Sequence, residues 1–426
     1  PMKRRLLSLF CALALCLGLL PATALADNGT LTYQYYDTVS GQMTEGTYTG
    51  EYTTVTSSDT DWGTSGQTTW YVVSGTVANY KRSNITVSGT VNLILTSGKT
   101  LTLNGPNISL QNSSAVLNIY GQAGNTGKLS ITAGNSSGDA GINLNGGTLN
   151  IHGGKVNATG YTNSATRSAP GIDVGGSGTL TVYGGEVTAE AGTYNGAGIR
   201  VTSSGTVSIY GGTVTATGAS NKSANGYPGA GIGGNGGSSA GETCGTVNIY
   251  GGTVTATGGS GGSGASAGIG GGQGGTAGSQ GGGGTVSIYG GTVTATGGRS
   301  TSNVQAPGIG GAVYSSNRGS SGTFSTGTNG SAVITANGGI QAGTSGCSAI
   351  IDNKVYGNVT LPDSQLSSKN LTVTHGATLT ISGEKTLSSS ITVNDGGTLT
   401  VSGTVTNSGT IPVESGGTLT GTGPLN

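Results

Sequence analysis

Val, Ile and Leu alternate with Thr, Ser and Asn along most of this chain, in short runs that end at glycine. The clearest run is GTVSIYGGTVTATG, at 205–218 and again at 284–297, with GTVNIYGGTVTATG at 245–258. Looser copies, GTLTVYGGEVTAEA and GTLNIHGGKVNATG, occupy 178–191 and 147–160. In the first copy Val207 and Ile209 precede a Gly-Gly pair, and Val214 and Ala216 follow it. A period of two is the signature of a strand with one buried face, and paired glycines permit a sharp corner. A third apolar point recurs within an (A/P)GI element, at Ile172, Ile199, Ile232, Ile269 and Ile309, with Ile142 before them.

Each unit therefore predicts three short strands, and the units recur every 27 to 40 residues. Units of this size cannot bury an apolar face alone and must stack on their neighbours. Three strands per turn, with like residues stacked between turns, describe an all-β chain folded as a right-handed parallel β-helix. The pattern also divides the chain. Residues 27–84, rich in Tyr and Thr and carrying both Trp62 and Trp70, lack the repeat. They are expected to form an N-terminal β cap over the open end of the core, or a small binding module with the two tryptophans as contacts. Residues 85–340 are expected to hold the long coils. From 341 to 426 the period tightens to 20, with Leu371, Ile391 and Ile411 in one column and Leu379, Leu399 and Leu419 in another. About 10 to 12 coils at about 4.8 Å each predict a solenoid of roughly 50–60 Å.

Composition sharpens this picture at three points. Of 426 residues 88 are glycine, yet without a G-X-Y period, and the abundance of β-branched residues argues against disorder. Residues 1–26 read as a secretory signal: Lys3, Arg4 and Arg5, then LLSLFCALALCLGLL, then Ala24-Leu25-Ala26. Localisation is therefore expected to be secreted, extracellular or at the cell surface, with the membrane involved only through that leader. Removing the leader takes three of the 16 basic residues and leaves 13 against 16 acidic ones. A mildly acidic chain without a basic patch argues against nucleic acid. Cys244 and Cys347 lie about three repeats apart, too far to bridge along a stacked helix.

The residue after each second buried position of the first strand points outward. These residues are Tyr120, His152, Tyr183, Tyr210, Tyr250 and Tyr289, and stacking predicts an external aromatic ladder. Such rings stabilise one another, and they also present amphipathic surface to a sugar ring. His152, Tyr183, Tyr210, Tyr250 and Tyr289 are the candidate ligand-binding residues. Thr213, Thr215 and Thr217, repeated at 253–257 and 292–296, form a second outward grid, interrupted upstream by Lys155, Asn157, Glu186 and Glu190. A flat Thr grid is also what ice-binding solenoids present, although Thr is simply a favoured strand residue. The loops GGNGGSSAGETCG and GGGQGGTAGSQGGGG carry little charge and no aromatics, and read as spacers rather than a binding rim. Glycoside hydrolysis needs paired carboxylates, and none recurs here except Glu186 and Glu190 on one strand. His375 sits in a turn, Asp139 and Asp173 stand apart, and GIGGNG at 231–236 precedes no helix. No metal, no cofactor and no catalytic set is expected.

The series WYVVSGTV, ITVSGTVNLIL, LNIYGQ, TGKL and GTVSIYGGTVTATG with its following GAGIG resembles secreted bacterial right-handed β-helix repeat proteins of the pectate-lyase-like superfamily, over roughly 62–322. The resemblance implies a carbohydrate-binding or adhesive role, as in the members of that group labelled so. The lyases and hydrolases of the superfamily cluster Asp and a basic residue on one face, a cluster not evident in this sequence. The reading that follows is a non-catalytic β-helix whose partner is a polysaccharide or cell-surface glycan. A polysaccharide lyase or hydrolase and a structural stalk are the alternatives.

Overall fold

The computed structural model of the chain describes residues 27–79, 83–134, 139–162, 169–192, 194–221, 226–361 and 370–423. The leader expected at 1–26 lies outside them. Among the described residues no helix is long and apolar enough to cross a membrane.

The alternation becomes three parallel sheets that wrap one core. The first sheet contains the strands that precede the Gly-Gly corner, including Val116–Gly121, Thr148–Ile151, Thr179–Val182, Thr206–Ile209, Thr246–Ile249, Thr285–Ile288 and Thr323–Thr326. Its buried positions stay in register from coil to coil, so that Ile119, Ile151, Val182, Ile209, Ile249 and Ile288 form one column inside the helix. The second sheet follows the corner, with Val156, Val187, Val214, Val254 and Val293 aligned. The third sheet carries Ile108, Ile142, Ile172, Ile199, Ile232, Ile269 and Ile309. All of these side chains are buried in one continuous core. The second glycine of each corner has positive φ, as at Gly252 (φ 82), a conformation that side chains disfavour.

Three expectations change. The solenoid begins before residue 85. A hairpin of β1 (Asp27–Asp37) and β2 (Gln42–Thr54) is followed by β3 (Asp61–Trp62), β4 (Thr68–Val73) and β5 (Val77–Asn79). The last three are already a coil, pairing Trp62 with Val87, Tyr71 with Leu93 and Val77 with Leu101. Trp62 is fully buried, and its indole N–H donates to Asp59 Oδ2 at 3.1 Å. It fills the first coil in place of an aliphatic residue, which is why this coil escapes the repeat. Trp62 is thus core and not a contact residue.

The hairpin does not cover the open end of the core. It crosses the outside of the coils, and only Thr53 and Thr54 at the end of β2 extend the sheet beside β4. The Gly-rich loops, for their part, are a packed layer rather than spacers. Gly234 N–H donates to Gly270 O, Gly237 N–H to Gln273 O and Gly272 N–H to Glu242 O, at 2.9, 2.9 and 3.0 Å. A Cβ on Gly270 would overlap the Gly310 carbonyl, so glycine is required there by close backbone approach.

Past Val333–Asn337 an antiparallel turn, Ala349–Ile351 with Lys354–Tyr356, links the long coils to the tail. In the tail Leu371 pairs with Ile391, and Leu379 with Leu399 and then Leu419. The tail has its own apolar cluster, from Val333 to Val405 with Ile411 packed against it.

Candidate functional site: an aromatic ladder and its cover

The corner glycines leave the residue before them outside the core, and stacking brings those residues together. Tyr120, His152, Tyr183, Tyr210, Tyr250 and Tyr289 form a continuous ladder. Successive ring centroids lie 4.8, 4.7, 5.2, 4.5 and 5.0 Å apart, with interplanar angles of 11–22°. Trp70, two residues short of the ladder position in its own coil, leans over to stack on Tyr120 at 5.9 Å.

The hairpin covers the first half of this ladder. Tyr33 tilts against Trp70 and Tyr120 at 5.2 and 4.8 Å, and Tyr48 stacks on Trp70 at 4.2 Å. Tyr36 stacks on Tyr183 at 5.0 Å and reaches Tyr210 at 5.8 Å. The Tyr36 backbone N–H donates to Nδ1 of His152 at 3.1 Å. An accepting Nδ1 makes the imidazole neutral, with its proton on Nε2. Burial pushes the His152 pKa down to about 4. Burial likewise pushes the Tyr120 phenol up, with the neighbouring Tyr33 adding to it. His152 is therefore a structural rung whose acceptor is already used, and Tyr183 lies under Tyr36. These two candidates are withdrawn from the open surface by a cover that the repeat itself does not encode.

Tyr210, Tyr250 and Tyr289 stay open, 36, 42 and 40% exposed. Their ring faces stack on one another, so edges and hydroxyls are what they present to solvent. At the end of the run Ile288 pairs with Thr326, which puts Gly327 opposite Tyr289 in place of a further rung. Beside the open rungs runs a polar column, Ser208, Asn248 and Ser287, in register two residues earlier, of which Ser287 is buried with its hydroxyl hydrogen-bonded to that of Ser325 at 2.9 Å.

The threonine grid is aligned on the second sheet: Thr213, Thr253 and Thr292; Thr215, Thr255 and Thr294; Thr217, Thr257 and Thr296. Upstream it meets Glu186, whose carboxylate pairs with Lys155 Nζ at 2.7 Å. On the third sheet Asp173 does not stand apart. Arg200, one coil on, contacts Asp173 at 3.0 Å and Glu242 at 2.7 Å. Burial raises the Asp173 carboxyl while Arg200 pulls it back. The spacing of 27 between Asp173 and Arg200, each directly after a stacked Ile, is the sequence signal for this contact. Among the described residues no group of three His, Cys, Asp or Glu side chains is placed to hold a metal ion. Cys244 and Cys347 are free, buried thiols.

Stacked parallel coils with an in-register core define a parallel β-helix protein. A family model described as Beta helix repeat matches residues 149–178, 180–199, 207–237, 247–273 and 286–313, about a third of the chain. No curated protein and no solved structure matches the chain.

Proposed function

We propose that this protein is a non-catalytic, secreted or surface-displayed β-helix that binds a polysaccharide or cell-surface glycan through its outer face. The observation that carries this reading is the open run Tyr210, Tyr250 and Tyr289 beside Ser208 and Asn248. A rigid row of phenol edges and hydroxyls next to a polar column suits a ligand that is both apolar and hydroxylated. The test is a glycan array probed with the wild-type chain and with the Tyr210→Ala, Tyr250→Ala and Tyr289→Ala variants. Binding that weakens in all three supports the reading. Unchanged binding removes the ladder from it.

A second reading, polysaccharide cleavage, draws on Glu242, which lines a cleft of about 300 Å³ with Arg200, and on Asp173 behind that arginine. Arg200 engages both carboxylates, which leaves neither as a free acid and favours a structural clamp between coils. Incubation with polyuronides, watching for new unsaturated or reducing ends, checks this. Reproducible cleavage overturns the non-catalytic reading.

A further inference from the structure

The open rungs combine two properties that the covered ones do not. Tyr210, Tyr250 and Tyr289 are consecutive phenols, and among the described residues no other tyrosine is as exposed. Upstream of them Tyr183 lies under Tyr36, and His152 interrupts the phenols. The spacing of the open rungs is fixed by the backbone. Ile209 pairs with Ile249, and Ile249 with Ile288. The Tyr250 N–H donates to the Ile209 carbonyl and the Tyr289 N–H to the Ile249 carbonyl, each at 2.7 Å.

Tyr210 and Tyr250 are the closest pair of tyrosine rings among the described residues, with centroids 4.5 Å apart and planes within 11°. Rings this nearly parallel, carried by the same position of the repeat, set like atoms side by side. The carbon ortho to one hydroxyl therefore lies beside its counterpart at about the coil spacing of 4.8 Å. The ring faces are taken up by stacking, whereas the edges that bear these carbons reach solvent. Phenols that lose one electron couple through those carbons. Two of them held side by side on a rigid frame need no diffusional encounter, which favours coupling within the pair.

We propose that Tyr210 and Tyr250 form an oxidative modification site, joined as dityrosine by a peroxidase-type one-electron oxidant that consumes hydrogen peroxide. Each phenol gives up one electron and its hydroxyl proton and becomes a phenoxyl radical. The two radicals join through their ortho carbons, and the two hydrogens on those carbons move to the oxygens and restore the phenols. In sum two C–H bonds break and one C–C bond forms, while one peroxide takes up two electrons and two protons and becomes two waters. The new bond staples two adjacent coils. Cross-linking needs only this ring geometry, so its outcome is independent of whether the open rungs bind a glycan.

The test exposes the full chain, dilute enough that encounters between molecules are rare, to a haem peroxidase with hydrogen peroxide. Dityrosine fluorescence is expected in the monomer, whose mass falls by two hydrogen atoms, and peptide mapping is expected to join Tyr210 to Tyr250. In Tyr250→Phe the yield of intrachain dityrosine is expected to fall roughly fivefold or more, because Tyr210 and Tyr289 then lie two coils, about 10 Å, apart. Phenylalanine keeps the stack, and unchanged circular dichroism verifies that the variant folds. Tyr36→Phe removes the tilted neighbour of Tyr210 at 5.8 Å and is expected to cross-link as the wild type does. No dityrosine in the monomer overturns the proposal, as does oxidation that stops at Trp70, a link that maps chiefly elsewhere, or an undiminished yield in Tyr250→Phe.

Discussion

The two halves of the aromatic ladder are built by one repeat and end in different environments. Tyr120, His152 and Tyr183 lie beneath Tyr33 and Tyr36, whereas Tyr210, Tyr250 and Tyr289 face solvent. The boundary is set outside the repeat. An extended chain advances about 3.4 Å per residue, so Tyr33 to Tyr36 spans about 10 Å, two coils of about 4.8 Å. The hairpin then turns, with Asp37 accepting from the Val39 and Ser40 backbone N–H groups. Where that turn falls decides which rungs are structure and which are surface.

The largest expected effect lies in the covered half. Tyr120→Ala removes a mostly buried ring from contact with Tyr33, Trp70 and His152. Loss of a buried aromatic costs about 3 kcal/mol, and here it also unseats the hairpin. Urea unfolding with limited proteolysis checks this, with early cleavage within 27–54 expected. An intact hairpin in this variant breaks the comparison, because the cover then does not depend on the rung beneath it.

Acid is expected to act on the same half more mildly. An unfolded imidazole takes up a proton below about pH 6.5, whereas burial holds folded His152 neutral down to about 4. Its contribution is complete above about pH 6.5 and is lost as pH falls from there towards about 4. Protonating Nδ1 also removes the acceptor for the Tyr36 N–H. The protection of the Tyr36 amide relative to its intrinsic exchange rate is therefore expected to fall as pH drops across that window in the wild type, and to lose this pH dependence in His152→Phe. An identical pH profile in the variant assigns the effect to other groups.

Much of this architecture is legible in the sequence, because stacking repeats the same constraint. Ile209, Val214 and Ile232 each mark one wall of a coil, and neighbouring copies fix their register. What is not legible rests on contacts between unlike segments. Nothing near Tyr33 or Tyr36 signals that they dock on rungs as distant in the chain as Tyr120 and Tyr183. Trp62 stands in a coil whose DWG has no counterpart in the repeat, so its burial has no periodic cue. The Gly-rich loops pack through carbonyls and N–H groups, which leave no side-chain pattern to read. Glu242 reaches Arg200 from such a loop, whereas Asp173 does so from the strand one coil before it.

The smallest effect is expected in the open half, and it is the one that separates stability from binding. Tyr250 touches Tyr210 at 4.5 Å and Tyr289 at 5.0 Å, and among the described residues no hairpin ring stacks on it. Each stacked pair contributes about 0.5–1.5 kcal/mol beyond area, but partial exposure reduces what is lost, so Tyr250→Ala is expected to cost about 1 kcal/mol. Chemical unfolding of this variant beside Tyr120→Ala gives the difference directly. A cost near that of Tyr120→Ala would mean that the open rungs are as structural as the covered ones. A small cost with lost glycan binding assigns the open rungs to recognition, since truncation there then changes the surface far more than the fold.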